Sequence, residues 1–150
     1  MFRDPITLED LYAFYQLRGP TDVFLDVRSP AEFRQGHIPS SRNLPVDQVI
    51  RNPQKWAEAL RHCGKIYLYC SAGERAKQAY EVLSQAGLTK LTYVQNAGMP
   101  AWEEHQYPVA WNHVCAAGNL RADKPRSLRL HHLLIGLAAG LIANIVARKG

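Results

Sequence analysis

The residues that could do chemistry stand together in Cys70-Ser71-Ala72-Gly73-Glu74-Arg75-Ala76. Cysteine is a nucleophile, and the three small residues after it let the chain curl round the sulfur with its amides turned inward, a concave nest for an anion. Arg75, five residues on, adds a fixed positive charge to the rim. Before the cysteine, Ile66, Tyr67, Leu68 and Tyr69 form a β-branched and aromatic run that reads as a buried strand. From Glu74 the spacing turns helical, with Ala76, Ala79, Tyr80, Leu83 and Ala86 on one face. A thiol at such a junction lies under loop amides and at the positive end of a helix dipole, and both stabilise negative charge there. The chemistry implied is a nucleophilic cysteine that meets an anionic substrate or holds an anionic intermediate. Taken alone, the same sulfur could end a core strand as a small apolar residue, so the surrounding elements must decide.

Those elements read as an α/β domain with an open parallel sheet. Thr7 and Asp10 have the spacing of a capping box, and Leu8, Leu11, Tyr12, Tyr15 and Leu17 give a helical stripe that stops at Gly19-Pro20. Val23, Phe24, Leu25, Asp26 and Val27 form a strand apolar on both faces, as in parallel sheets. Ser29-Pro30 opens a short helical turn closed by Gly36, and the proline-bracketed segment 37–45 holds one more short strand. Residues 53–62 place Trp56, Ala59 and Leu60 at helical spacing, with Gly64 as the stop, and 91–94 is a further strand followed by a short helix around Trp102. Alternating strands and helices put Cys70 at the carboxyl end of a parallel strand, where open α/β sheets bind ligands.

The chain of 150 residues is one domain with an appendage. Residues 1–111 hold 12 basic and 12 acidic residues. Residues 112–150 hold six basic residues against Asp123 alone, which is the whole net charge of +5. A balanced body without a basic, aromatic-studded face argues against a nucleic-acid partner. Cys63, Cys70 and Cys115 are odd in number and lack metal-binding spacing, so neither a disulfide framework nor a metal site is expected, and no organic cofactor is suggested. No basic leader followed by an apolar core opens the sequence, and the body is expected in a reducing cytoplasm.

With these residues assembled, 5–110 resembles a rhodanese domain, the sulfurtransferase module. The segment DVRSPAEFRQGHIPSSRNLP (26–45) resembles the family's first signature through Asp26, Arg28, Glu32, Gly36, His37 and Ile38; CSAGERA (70–76) resembles its active-site loop, and AGMPAW (97–102) its closing signature. The resemblance implies that Cys70 takes a sulfane sulfur from a small anionic donor such as thiosulfate, carries it as a persulfide, and passes it to cyanide or a thiol. The amides of Ser71, Ala72, Gly73, Glu74, Arg75 and Ala76 would cradle the anion. The six-residue loop is one shorter than in phosphatases that share the fold, which favours sulfur over phosphate. Ser40-Ser41 and Ala97 depart from the family's usual Gly-Ala and Gly, and Glu74 sets a negative charge beside Arg75 that works against a dianionic donor. Asp26, Arg28 and His37 are read as structural support, Trp102 as core and Cys63 as a buried helix-end residue. The alternative function is a sulfur relay or redox sensor without turnover, tethered to a membrane partner.

The resemblance ends before the tail. Residues 112–129 read as a basic linker in which Cys115 could act as a resolving thiol. Residues 133–147 hold no charge, and counting from Leu130 the apolar run 130–147 is interrupted only by His131 and His132. As a helix of 18 residues it would be about 27 Å long, against a hydrocarbon core of about 30 Å. Arg121, Lys124, Arg126 and Arg129 precede it and Arg148 and Lys149 follow, while Gly136 and Gly140 form a small-xxx-small pair. The expectation is a membrane anchor with the body on the cytoplasmic side; self-association through this helix is the alternative.

Overall fold

The computed structural model describes residues 5–111. In chain order these form α1 (Leu8–Leu17), β1 (Val23–Asp26), α2 (Pro30–Gln35), β2 (Arg42–Asn43), α3 (Val46–Arg51), α4 (Pro53–Leu60), β3 (Ile66–Tyr69), α5 (Glu74–Gln85), β4 (Leu91–Tyr93) and α6 (Met99–Glu104). The strands make one parallel sheet of order β2-β1-β3-β4, with Leu25 opposite Leu68 and Leu68 opposite Tyr93 in its centre. The expected open parallel sheet flanked by helices is therefore present.

Alternation along the central strands divides the core in two. Leu25, Ile66, Leu68 and Cys70 face a cluster completed by Val49, Ala57, Leu60, Ala76, Ala79 and Leu83 from α3, α4 and α5. Phe24, Tyr67 and Tyr69 face the other side, where Leu8 and Leu11 of α1 meet Met99 and Trp102 of α6. Each large apolar side chain so buried contributes about 1.5–3 kcal/mol, and every residue of β3 is buried. Trp102 is fully buried, as expected for a core residue, and its indole N–H donates to the Pro108 carbonyl at 2.7 Å.

The ends of the described chain are tied down by backbone bridges. Ile6 bridges Val94 in parallel, its amide donating to Tyr93 O at 3.0 Å, and His37 bridges Ala110 antiparallel through two backbone bonds of 2.8 and 2.9 Å. The capping box of α1 forms as its sequence predicts, Thr7 and Asp10 each accepting the other's amide at 3.1 Å.

Several details differ from the sequence reading. Leu17, the last residue of α1, is 82% exposed and takes no part in the buried stripe. In α4 it is Ala57, not Ala59, that lies with Leu60 on the buried face, and the helix ends before Gly64, whose amide donates instead to Thr21 O at 2.8 Å. Cys63 is half-buried. Helix α3 has no counterpart in the reading; it starts directly after Pro45, with Val49 buried in the core and Val46 packed against it. No helix among the described residues is long and apolar enough to cross a membrane. The linker 112–129, Cys115 and the run 130–147 lie outside the described residues.

Candidate active site

Strand β3 ends in the core, and the chain must turn within four residues, 70–73, to start α5. Gly73 makes this turn with φ of +100°, in the left-handed region, and a Cβ there would stand 2.7 Å from the Asn96 amide nitrogen. Both the dihedral and the lack of room require glycine. The turn brings the Gly73 amide to the sulfur of Cys70, to which it donates at 3.0 Å. The Gly73 carbonyl accepts from Lys77 at 2.9 Å and so begins α5. Cys70 is 1% exposed. From the far side, Met99 donates its amide to the Cys70 carbonyl at 2.9 Å, and Gly98 packs directly on the Cys70 backbone.

Arg75 does not stand alone at the rim. Its two terminal nitrogens donate to the two oxygens of Glu32 at 2.8 and 3.0 Å, and one of them also donates to Ser71 Oγ at 2.9 Å. One Glu32 oxygen further accepts from the amide and the hydroxyl of Ser29, each at 2.9 Å, closing the capping box of α2. Hydrogen bonding from Arg75, aided by Ser29, outweighs partial burial and holds the Glu32 carboxyl down at about 2. Arg75 is correspondingly raised, chiefly by Glu32 and to a smaller degree by the nearby Cys70 sulfur. Ala72 and Glu74 are exposed, Ser71 is half-buried, and Ala76 is packed in the core.

A buried ion pair backs the loop. Arg28 donates to both Asp26 oxygens, at 2.7 Å in the shortest contact, and its Nη2 also donates to the Gly36 carbonyl at 2.6 Å. Burial pulls the guanidinium down, but the bonds and charge of Asp26 together hold it above its ordinary value. Asn43 donates its side-chain amide to the carbonyls of Asp26 and Arg28 at 3.0 and 2.9 Å. His37 stacks on Phe33 with centroids 3.7 Å apart, and its Nδ1 lies 2.8 Å from the Phe33 carbonyl. The Tyr69 hydroxyl accepts from the Ile38 amide at 3.1 Å and bonds Ser41 at 2.8 Å; burial, with the charge of Asp26 adding to it, pushes this phenol well above its usual range.

A model of the rhodanese-like domain matches residues 8–105. The chain belongs to the rhodanese-like domain family. A sulfurtransferase of Allochromatium vinosum is 33% identical over 95 residues, which cover 63% of this chain and 84% of that protein. The thiosulfate sulfurtransferase PspE of Escherichia coli is 34% identical over 76 residues, covering 50% of this chain and 67% of that one. The crystal structure of a rhodanese-related protein from Thermoplasma volcanium superposes with a TM-score of 0.58 at 34% identity, over 71% of this chain and 97% of the other.

In this rhodanese-like domain the residues singled out from sequence fall into two groups. The loop 70–76 carries the sulfur, with the Gly73 amide donating to it, whereas Asp26, Arg28 and His37 belong to the polar network that joins β1, α2 and β2. Among the described residues no three His, Cys, Asp or Glu side chains converge as a metal set. The sequence reading took Gly98, Asn43 and Glu32 only as parts of signatures and Tyr69 only as part of a buried strand. Ser29-x-x-Glu32 carried a usable signal, since it has capping-box spacing; its second partner, Arg75, lies 43 residues away.

Proposed function

We propose that this domain is a sulfurtransferase in which Cys70 is the nucleophile and the carrier of a persulfide. One observation carries the reading: the Cys70 sulfur sits at the strand–helix junction with the Gly73 amide donating to it at 3.0 Å. The Cys70 thiolate attacks the outer sulfur of the donor, a sulfur–sulfur bond forms as the donor's own breaks, and the leaving group departs with the bonding electron pair. With thiosulfate the leaving group is sulfite. The terminal sulfur of the persulfide then carries negative charge into the amides of 71–76, which, with the start of α5, hold it without reorganisation. A thiol or cyanide acceptor removes that sulfur and regenerates Cys70. The names of the two relatives given above agree with sulfur transfer as a class, and a sulfane donor, either thiosulfate or a persulfide, is our proposal for this chain.

Intact mass tests it. Wild-type protein treated with thiosulfate or a persulfide should gain about 32 Da, the mass of one sulfur, and lose it on addition of cyanide. Cys70→Ser should show neither change. A sulfur adduct that persists in Cys70→Ser would refute the role of Cys70, while full loading with negligible turnover would point to the relay or sensor function.

We also propose that residues 130–147 hold the domain at the cytoplasmic face of a membrane, on the strength of an apolar run with basic residues on both flanks. Full-length protein should stay with washed membranes, and a chain ending near residue 121 should not. Full-length protein in the soluble fraction as a dimer would replace the anchor by self-association.

A further inference from the structure

The loop of a domain that handles anions would be expected to offer its arginine to the substrate. Here the fork of Arg75 is already occupied: Glu32 takes both terminal nitrogens, and Ser71, the residue after the nucleophile, takes a second bond from one of them. Asp26 likewise neutralises Arg28 in the buried pair behind the loop. Glu74 adds a negative charge in the exposed first turn of α5, and the next cation on that helix, Lys77, lies one turn further along. Both arginines that the structure places at or behind the loop are thus each cancelled by a carboxylate. What stabilises an anion there is the amide nest, whose partial charges suit a single negative charge and do not compensate two.

We propose that Glu32 is a positioning residue that acts through Arg75 to select the charge of the sulfur donor, favouring a monoanionic persulfide over the dianion thiosulfate. The inference rests on the sulfurtransferase reading above and narrows its donor. In the favoured reaction the Cys70 thiolate attacks the terminal sulfur of R–S–S⁻, the new sulfur–sulfur bond forms as the old one breaks, and R–S⁻ leaves with the electron pair, so charge and atoms balance with no added oxidant or reductant. Glu32 touches neither sulfur. It fixes the guanidinium on Ser71 and cancels its charge.

The experiment uses the full chain, wild type and Glu32→Gln, with cyanide as the common acceptor. The donors are thiosulfate and cysteine persulfide, whose net charge is minus one. Glutamine keeps a carbonyl oxygen for Arg75 but removes the charge. The ratio of kcat/KM for thiosulfate to that for cysteine persulfide should rise about tenfold in Glu32→Gln, mainly through a lower KM for thiosulfate, a change of the size expected for one charge near a partly exposed site. An unchanged ratio, or an equal fall for both donors, overturns the proposal and leaves Glu32 a structural brace. Should the variant fail to fold, wild type decides alone: raising ionic strength from about 20 to about 500 mM should leave or increase kcat/KM for thiosulfate, and a steep fall, the mark of attraction by an uncompensated cation, overturns the proposal. An uncharged peptide bearing one persulfidated cysteine, used beside cysteine persulfide, tells a polypeptide source from a small-molecule one, and efficient use of either supports it. If no donor adds 32 Da to wild-type Cys70, the sulfurtransferase reading itself has failed, an outcome distinct from an unchanged donor ratio.

Discussion

Gly98 lies against Cys70 with no room for a side chain: a Cβ at Gly98 would overlap the Cys70 carbonyl, the same oxygen that accepts the Met99 amide at 2.9 Å. The backbone of the reactive residue is thus clamped between its own loop and the segment that leads into α6. Gly98→Ala should push the loop away from α6, costing about 1–3 kcal/mol as overpacking does and lowering sulfur-transfer activity by about tenfold or more through displacement of the sulfur. Thermal unfolding and kcat/KM measured on the same preparation check both effects.

Asp26→Asn leaves the Arg28 guanidinium buried without its counter-charge. The cost should be about 3–5 kcal/mol, the range for one half of a broken buried pair. Arg28 also holds the Gly36 carbonyl, so α2 should loosen with it. Urea unfolding at neutral pH reads the loss.

The Glu32 carboxyl is held down at about 2, chiefly by Arg75, so its contribution to stability is complete above the ordinary carboxyl value and is lost as pH falls from about 4.5 through 2. Glu32→Gln should remove this component. Wild type should lose more stability than the variant between pH 5 and about pH 2.5, by a modest margin because the pair is about one third exposed and solvent screens it. Parallel urea titrations across that range make the comparison.

Tyr69→Phe removes the hydroxyl that accepts from the buried Ile38 amide and bonds Ser41. An amide left without a partner costs about 1–3 kcal/mol. The variant should unfold earlier while keeping Cys70 able to accept sulfur, which separates the support of the first signature segment from the chemistry of the loop.

The parts of this molecule that sequence made legible are those with short-range causes. The strand–loop–helix around Cys70 was readable because its apolar run, small residues and helical spacing are contiguous, and the capping box of α1 because Thr7 and Asp10 are three residues apart. Helix α3 was hidden: six residues with Val49 alone buried give no stripe. The choice between Ala57 and Ala59 depended on how α4 is rotated against α5, which tertiary packing sets. The largest omission was the partner of Arg75. Nothing local announces that a carboxylate 43 residues upstream will occupy an arginine that, read by itself, looks available to substrate.

Helix α2 buries none of its six residues. It is held to the rest of the domain by side-chain hydrogen bonds and one ring stack: Glu32 to Arg75, Arg28 to the Gly36 carbonyl, and Phe33 on His37. Releasing it exposes little apolar area, so it can swing out at far lower cost than any other helix beside the loop. In amide hydrogen exchange α2 should therefore behave as a door on its own hinge, opening while β3 and α5 stay protected.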